Sequence, residues 1–125
     1  MTNEDKINDL KNTRENKLNM HLSNLEKEIY EAVKYSAVDK LKSLGCNDET
    51  PINFMIELQK EYFYPILLLA SSIGNSEVIA TLLQNKTIDI NIQDPTTHVN
   101  AFWVAAFYGK GECLKLLAKA DSNIL

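Results

Sequence analysis

The sequence predicts an all-α fold: helix–turn–helix units stacked as a solenoid, with a short β-hairpin between repeats and an N-terminal amphipathic helix before them. Three observations lead to this prediction. Apolar residues recur at the spacing of one helix face. Two segments of the same pattern follow one another, and their turn glycines, Gly74 and Gly109, stand 35 residues apart. A recurrence of that length indicates units that bury their apolar faces against their neighbours.

Composition excludes several classes of function. The 125 residues carry 13 basic and 17 acidic side chains, a net charge of −4, and Arg14 is the only arginine. Such a chain is poorly suited to phosphate backbones or anionic membranes, so we expect no nucleic-acid partner and no membrane partner. The apolar runs are too short for a membrane span, and the N-terminus lacks a signal peptide. The sequence therefore predicts a cytoplasmic protein.

The N-terminal third is predicted to hold a tail and two helices. Residues 1–17 are polar and predict a flexible tail. An amphipathic helix is predicted to begin at Leu18, with a second possible start at Ser23. Its apolar face holds Leu18, Leu22, Leu25, Ile29, Ala32 and Val33. A short helix over 37–44 follows, with Gly45 as its C-cap.

Residues 45–64 are the hardest to interpret. Thr50-Pro51 is a good helix start, so we expect one or two buried helical turns around Phe54, Met55 and Leu58.

The rest of the chain predicts two helix pairs with an extended segment between them. Pro65 opens an apolar helix that ends at Gly74, and Ser76 is the expected N-cap of the next helix. The turn-rich, β-branched segment 86–100 predicts a hairpin. A second pair follows, in which Trp103 is expected to point into the stack.

From residue 65 onward the chain resembles the ankyrin repeat family, whose unit runs from a hairpin through TPLHxAAxxGH to a helix ending in LL. In an alignment of the two segments, Ala70-Ser71 matches Ala105-Ala106, Gly74 matches Gly109, and Glu77-Val78-Ile79 matches Glu112-Cys113-Leu114. Asp89-Ile90-Asn91 matches the DxN with which the family's unit returns toward the next hairpin. Residues 29–44 are similar to a degenerate first repeat, with Ser36 at the turn glycine. The sequence departs from the family at His98, which replaces a glycine, and at Leu68 and Trp103, which replace its histidine.

This resemblance implies a domain layout and a location. The tail is 1–17 and the repeat domain 18–125, divided into a capping repeat at about 18–64 and repeats at 65–91 and 92–125. The motif stops mid-unit, so we expect an array cut at its C-terminus. The phrase NAFWVAAFYGKGE is similar to ankyrin proteins of ciliates and other protists, which implies a cytoskeletal or ciliary location within the cytoplasm.

No catalytic motif occurs in the chain, so we expect no enzyme activity. The two histidines, His21 and His98, have no clustered partners that would hold a metal. Cys113 stands where its helix should be apolar and is expected to be a small core residue rather than a nucleophile paired with His98. Cys46 is equally isolated. We therefore expect no metal, no cofactor and no small-molecule substrate.

The resemblance implies a binding role. In ankyrin proteins the residues before the turn glycine and the hairpin tips lie on the concave partner-binding surface. The corresponding candidates here are Ile73, Pro95, Thr96, His98, Val99, Phe107 and Tyr108. The alternative for Phe107 and Tyr108 is packing beneath a following hairpin. We therefore expect a non-catalytic protein–protein interaction module or scaffold whose partner is another protein.

Two other functions remain open at this point. The chain can be the N-terminal regulatory segment of a larger enzyme or channel, or a structural subunit of a large assembly. A tail that orders on another chain favours the subunit, whereas a longer native chain favours the regulatory segment.

Overall fold

The computed structural model describes residues 18–122. Their helices and strands follow in the order α1 (Asn24–Lys34), α2 (Val38–Ser43), β1 (Met55–Gln59), β2 (Tyr62–Pro65), α3 (Ile66–Ile73), α4 (Ser76–Leu82), α5 (Ala101–Phe107) and α6 (Gly111–Ser122). The predicted tail 1–17 and the last three residues of the predicted repeat domain lie outside the described residues. None of the helices in the described range has the length and apolar character needed to cross a bilayer.

Polar side chains fix where the helices begin. The Ser23 hydroxyl accepts a hydrogen bond from the Glu26 N–H, while the Glu26 carboxylate accepts one from the Ser23 N–H. This capping box starts α1 at Asn24, so the predicted start at Leu18 is wrong and the alternative start is confirmed. Asn75, not Ser76, caps α4, and Asn100 caps α5.

The helices form three antiparallel pairs that stack in chain order. α3 packs against α1 on one side and α5 on the other, and α4 lies in the same way between α2 and α6. The buried side chains form one continuous core through all three pairs. Its largest fully buried members are Ile29, Val33, Leu41, Ile56, Ile66, Leu67, Leu68, Val78, Ile79, Leu82, Val104 and Leu117. Each pair is too small to bury its own apolar surface, so the pairs depend on one another.

The turn inside each helix pair contains one residue in the left-handed conformation. Ser36, Gly74 and Gly109 have φ angles of 53°, 81° and 69°. The sequence prediction that Ser36 occupies the place of the turn glycines is confirmed. A positive φ is sterically unfavourable for a serine, because it has a Cβ, and is not for a glycine.

Asparagine side chains tie successive units together between the helices. The fully buried Asn85 donates from Nδ2 to the Thr50 carbonyl at 2.9 Å and accepts from the Thr87 N–H. Asn53 donates to the Thr87 carbonyl at 2.8 Å and accepts from the Asp89 N–H at 2.7 Å. These bonds give loop carbonyl and N–H groups side-chain partners, and the Thr50 carbonyl among them belongs to a buried residue.

The predicted fold class, an all-α ankyrin-type solenoid, is wrong. β1 and β2 form an antiparallel two-stranded sheet with Met55 opposite Pro65 and Ile56 opposite Tyr64. The described residues therefore form a mixed α/β fold of helix pairs and a hairpin. The predicted helical turns at Phe54, Met55 and Leu58 are wrong for the same reason. Only Ile56 of β1 is buried, and β2, which has three consecutive aromatic residues, lies opposite it.

The hairpin predicted over 86–100 is also wrong. This segment contains turns and no strand. Asp89 and Asp94 accept hydrogen bonds from N–H groups two residues ahead, on Asn91 and Thr96. Such side-chain bonds compete with strand pairing and explain why the β-branched residues here do not form a ladder.

Replacing Asn85 should destabilise the whole stack. Asn85→Ala leaves the Thr50 carbonyl and the Thr87 N–H without these partners, so we expect the free energy of unfolding to fall by about 2 kcal/mol. Urea unfolding followed by circular dichroism measures this change. The exposed Asn91→Ala is the matched control and should shift stability by less than about 0.5 kcal/mol. Equal effects of the two substitutions would contradict the assigned role.

Substitutions at two of these left-handed turn positions should change the free energy of unfolding in opposite directions. Ser36→Gly should raise the free energy of unfolding by about 0.5 kcal/mol because it relieves a positive φ, and Gly109→Ala should lower it by about 1 kcal/mol. No atom lies within 4 Å of the Cβ that Gly109→Ala would add, so its cost comes from backbone conformation alone. Thermal unfolding of both variants tests the assignment, which fails if they shift the midpoint in the same direction.

Candidate functional site

Three exposed aromatic side chains form a cluster at the end of α5. The Trp103 and Phe107 rings stack with their centroids 4.9 Å apart and their planes 11° from parallel. Phe107 meets Tyr108 edge to face, with a centroid distance of 5.0 Å. The exposed fractions are 51% for Trp103, 66% for Phe107 and 54% for Tyr108. We call these three residues the aromatic patch.

The prediction that Trp103 points into the stack is wrong. Its position is equivalent to Leu68 in the preceding pair, which is 0% exposed. Leu68 lies in a pair with neighbours on both sides, whereas α5 and α6 have only one neighbouring pair among the described residues. The alternative for Phe107 and Tyr108 was packing beneath a following hairpin. Within residues 18–122 no hairpin follows these two residues.

The segment 94–99, which we call the Asp94 loop, lies between α4 and α5. Asp94 is 1% exposed, and its carboxylate accepts bonds from the Thr96 N–H at 2.8 Å and from the Thr97 hydroxyl at 2.9 Å. The Tyr62 hydroxyl, from β2, donates to the same carboxylate at 2.9 Å. The backbone closes on itself through bonds between Asp94 and Val99 and between His98 and Asp94. One buried carboxylate thus fixes the loop's shape.

The predicted site residues divide into two groups. Pro95, Thr96, His98, Phe107 and Tyr108 are exposed. Ile73 and Val99 are partly buried and pack against the core, so they offer less surface to a partner.

Sequence reasoning missed three contributors to this surface: Trp103, Asp94 as the organiser of its loop, and Tyr62. The run of three aromatic residues, Tyr62-Phe63-Tyr64, was the available signal, since aromatic side chains are enriched in strands.

Electrostatic effects link the hairpin, the loop and the patch. Burial raises the pKa of Tyr64 to about 12, with additional contributions from Tyr108, Tyr62 and Asp94. The hydrogen bond to Asp94 raises the pKa of Tyr62. Burial pushes the pKa of Asp94 upward, but the hydrogen bonds from Thr96, Tyr62 and Thr97 outweigh it and leave that pKa below its ordinary value. Tyr62, Tyr64, Tyr108 and Asp94 therefore lie within electrostatic range of one another.

The chemistry of the remaining reactive groups is limited. Cys46 and Cys113 are buried free thiols, and burial raises the pKa of each, which disfavours the nucleophilic thiolate. No group of three histidine, cysteine or carboxylate side chains that could hold a metal occurs in the described part of the chain.

Tyr62→Phe should weaken the Asp94 loop in a pH-dependent way. At neutral pH the lost bond should lower the free energy of unfolding by about 1 kcal/mol. Because the folded-state pKa of Asp94 is depressed, its contribution is present above the ordinary value of 3.8 and is lost as the pH falls through the folded-state value. The difference between wild type and Tyr62→Phe should therefore shrink in acid.

Urea unfolding at neutral and acid pH measures this difference, and carbon NMR of Asp94 follows its titration. Tyr64→Phe is the control, since it removes a phenol from the same strand and leaves the Tyr62–Asp94 bond in place. A Tyr62→Phe penalty that stays constant down to the lowest pH would contradict the assignment.

Comparison with protein-family models finds no match to this chain. Comparison with curated proteins finds no match either. The ankyrin resemblance stated from the sequence stays a prediction.

Proposed function

We propose that this chain is a non-catalytic protein-binding module that acts as a scaffold for a partner protein, which it holds against the aromatic patch and the Asp94 loop. The observation that carries the proposal is the aromatic patch itself. Three large apolar side chains are each at least half exposed and lie in mutual contact. Exposed apolar groups that cluster in this way are typical of protein interaction sites.

The geometry of the patch favours tight contact with a protein. Trp103 and Phe107 lie one helical turn apart on α5, and Phe107 also contacts Tyr108, so the rings support one another before a partner arrives. Side chains that are already ordered lose less conformational entropy on binding. Buried tryptophan and tyrosine are also the residues that most often dominate binding energy at interfaces.

The Asp94 loop adds polar side chains near these rings, since Asp94 and Tyr108 both act on the pKa values of Tyr62 and Tyr64. Thr96 and His98 are exposed, and Pro95 adds an apolar surface with a fixed φ angle. The loop backbone is held from within by Asp94, so its outward side chains are presented in one arrangement. A rigid polar rim around aromatic anchors is the usual anatomy of a protein interface.

The test compares partner capture by the wild-type chain and by matched surface variants. Immobilised full-length chain is incubated with an extract of its own cells, and retained proteins are quantified by mass spectrometry. We expect the double variant Phe107→Ser/Tyr108→Ser to lose a retained protein by roughly tenfold or more. Tyr35→Ser, which removes a ring that is 67% exposed on the first helix pair, should retain it.

Thermal unfolding separates binding from folding in this experiment. The double variant should melt at the wild-type temperature because its rings are exposed. The proposal fails if both variants retain the same proteins in equal amounts, or if the double variant melts markedly lower, which would assign the rings to the core.

A further inference from the structure

The turn that follows α4 carries an acceptor motif for an asparagine-linked glycan. The motif is an asparagine, then any residue except proline, then a serine or threonine. Asn85-Lys86-Thr87 is its single occurrence in the 125 residues. Lys86 and Thr87 are exposed, as residues of a glycan acceptor on a surface loop should be. Asn85 itself, the residue that would carry the sugar, is 0% exposed.

Both ends of the Asn85 amide have hydrogen-bond partners within the fold. Nδ2 donates to the Thr50 carbonyl, in the loop after the first helix pair, at 2.9 Å. Oδ1 accepts from the Thr87 N–H at 2.9 Å and from the Thr87 hydroxyl at 2.6 Å. The two side chains that define the motif are therefore bonded to each other, and the motif is closed in the folded chain.

The closed turn is also bonded to the preceding unit. The Lys86 N–H donates to the Asp48 carboxylate at 2.8 Å, so two successive residues of the motif are held by the loop 47–50. The same two units meet through α2 and α4. Exposing the Asn85 amide therefore requires this junction of the stack to open, and the unfolded chain is the form that presents the amide.

A glycan on Asn85 is incompatible with this junction. Its transfer forms a bond between Nδ2 and the first sugar carbon, breaks the bond from that carbon to the pyrophosphate of the lipid donor, and releases an Nδ2 proton. The attached sugar is bulky and hydrated. Because Asn85 has no exposed surface, the fold would have to bury sugar hydroxyls without water or separate the two units.

We propose that Asn85 is a glycan acceptor in the unfolded chain only, and that its glycosylation and the folding of the stack exclude each other. The sugar donor is a lipid-pyrophosphate-linked oligosaccharide. The transferase acts on extended segments as they enter the glycosylating compartment, so a chain that enters it is modified before it folds. The stack therefore forms on the side of the membrane where this transfer does not occur. This inference goes beyond the proposed function, because it involves neither the aromatic patch nor the Asp94 loop.

Translation of the full chain behind a cleavable signal sequence, in the presence of microsomes, tests this proposal. Glycosylated and unglycosylated molecules separate by mass, and endoglycosidase treatment identifies the glycan. Limited proteolysis then compares how far each form is folded. We expect the unglycosylated wild type to resist protease and the glycosylated wild type to be cleaved roughly tenfold faster or more, because cleavage follows the population of the open form.

The matched control moves the same glycan a short distance along the chain to an exposed position. Gln93→Thr completes an acceptor motif at the exposed Asn91, and Thr87→Val removes the motif at Asn85. In this double variant the glycosylated and unglycosylated molecules should resist protease equally. Thr87→Val alone should carry no glycan, and its protease resistance shows the effect of the lost hydroxyl by itself.

Three results would overturn the proposal. Glycosylated wild type that resists protease as the unmodified chain does would show that the fold accommodates a sugar on Asn85. Wild type without glycan, in a translation that glycosylates the double variant, would show that Asn85 is no acceptor even before folding. Equal cleavage of the glycosylated double variant and the glycosylated wild type would show that the position of the sugar is irrelevant. Each result leaves partner capture by the unmodified chain as it was.

Discussion

The fold depends on the burial of each helix pair by its neighbour. A pair of helices of 6 to 12 residues each has too little interior to offset the entropy of ordering its chain. Leu68 and Ile79 reach full burial because one pair packs on each side of α3 and α4. Stability is therefore shared along the stack. A defect at one junction is felt by both of the pairs that meet there.

The segments between the helices set the distance and register of this stacking. Asn85 and Asn53 reach from one unit to the next and bond to loop carbonyls and N–H groups. Asp94 does the same through Tyr62, which joins the hairpin to the loop before α5. Asn85 and Asp94 are buried at low cost because each has its hydrogen-bond partners. These hydrogen bonds fix the register of one unit against the next, which apolar packing alone would not do because it is non-directional.

The sequence predicts those features that depend on local geometry. The left-handed turns at Ser36, Gly74 and Gly109 follow from the spacing of small residues, and the start of α1 follows from the Ser23 capping box. The hairpin and the exposure of Trp103 could not be predicted in this way. A strand forms over residues 55–59 only because 62–65 pairs with it. The burial of a residue at the position of Trp103 depends on what lies beyond it, which helical periodicity does not contain.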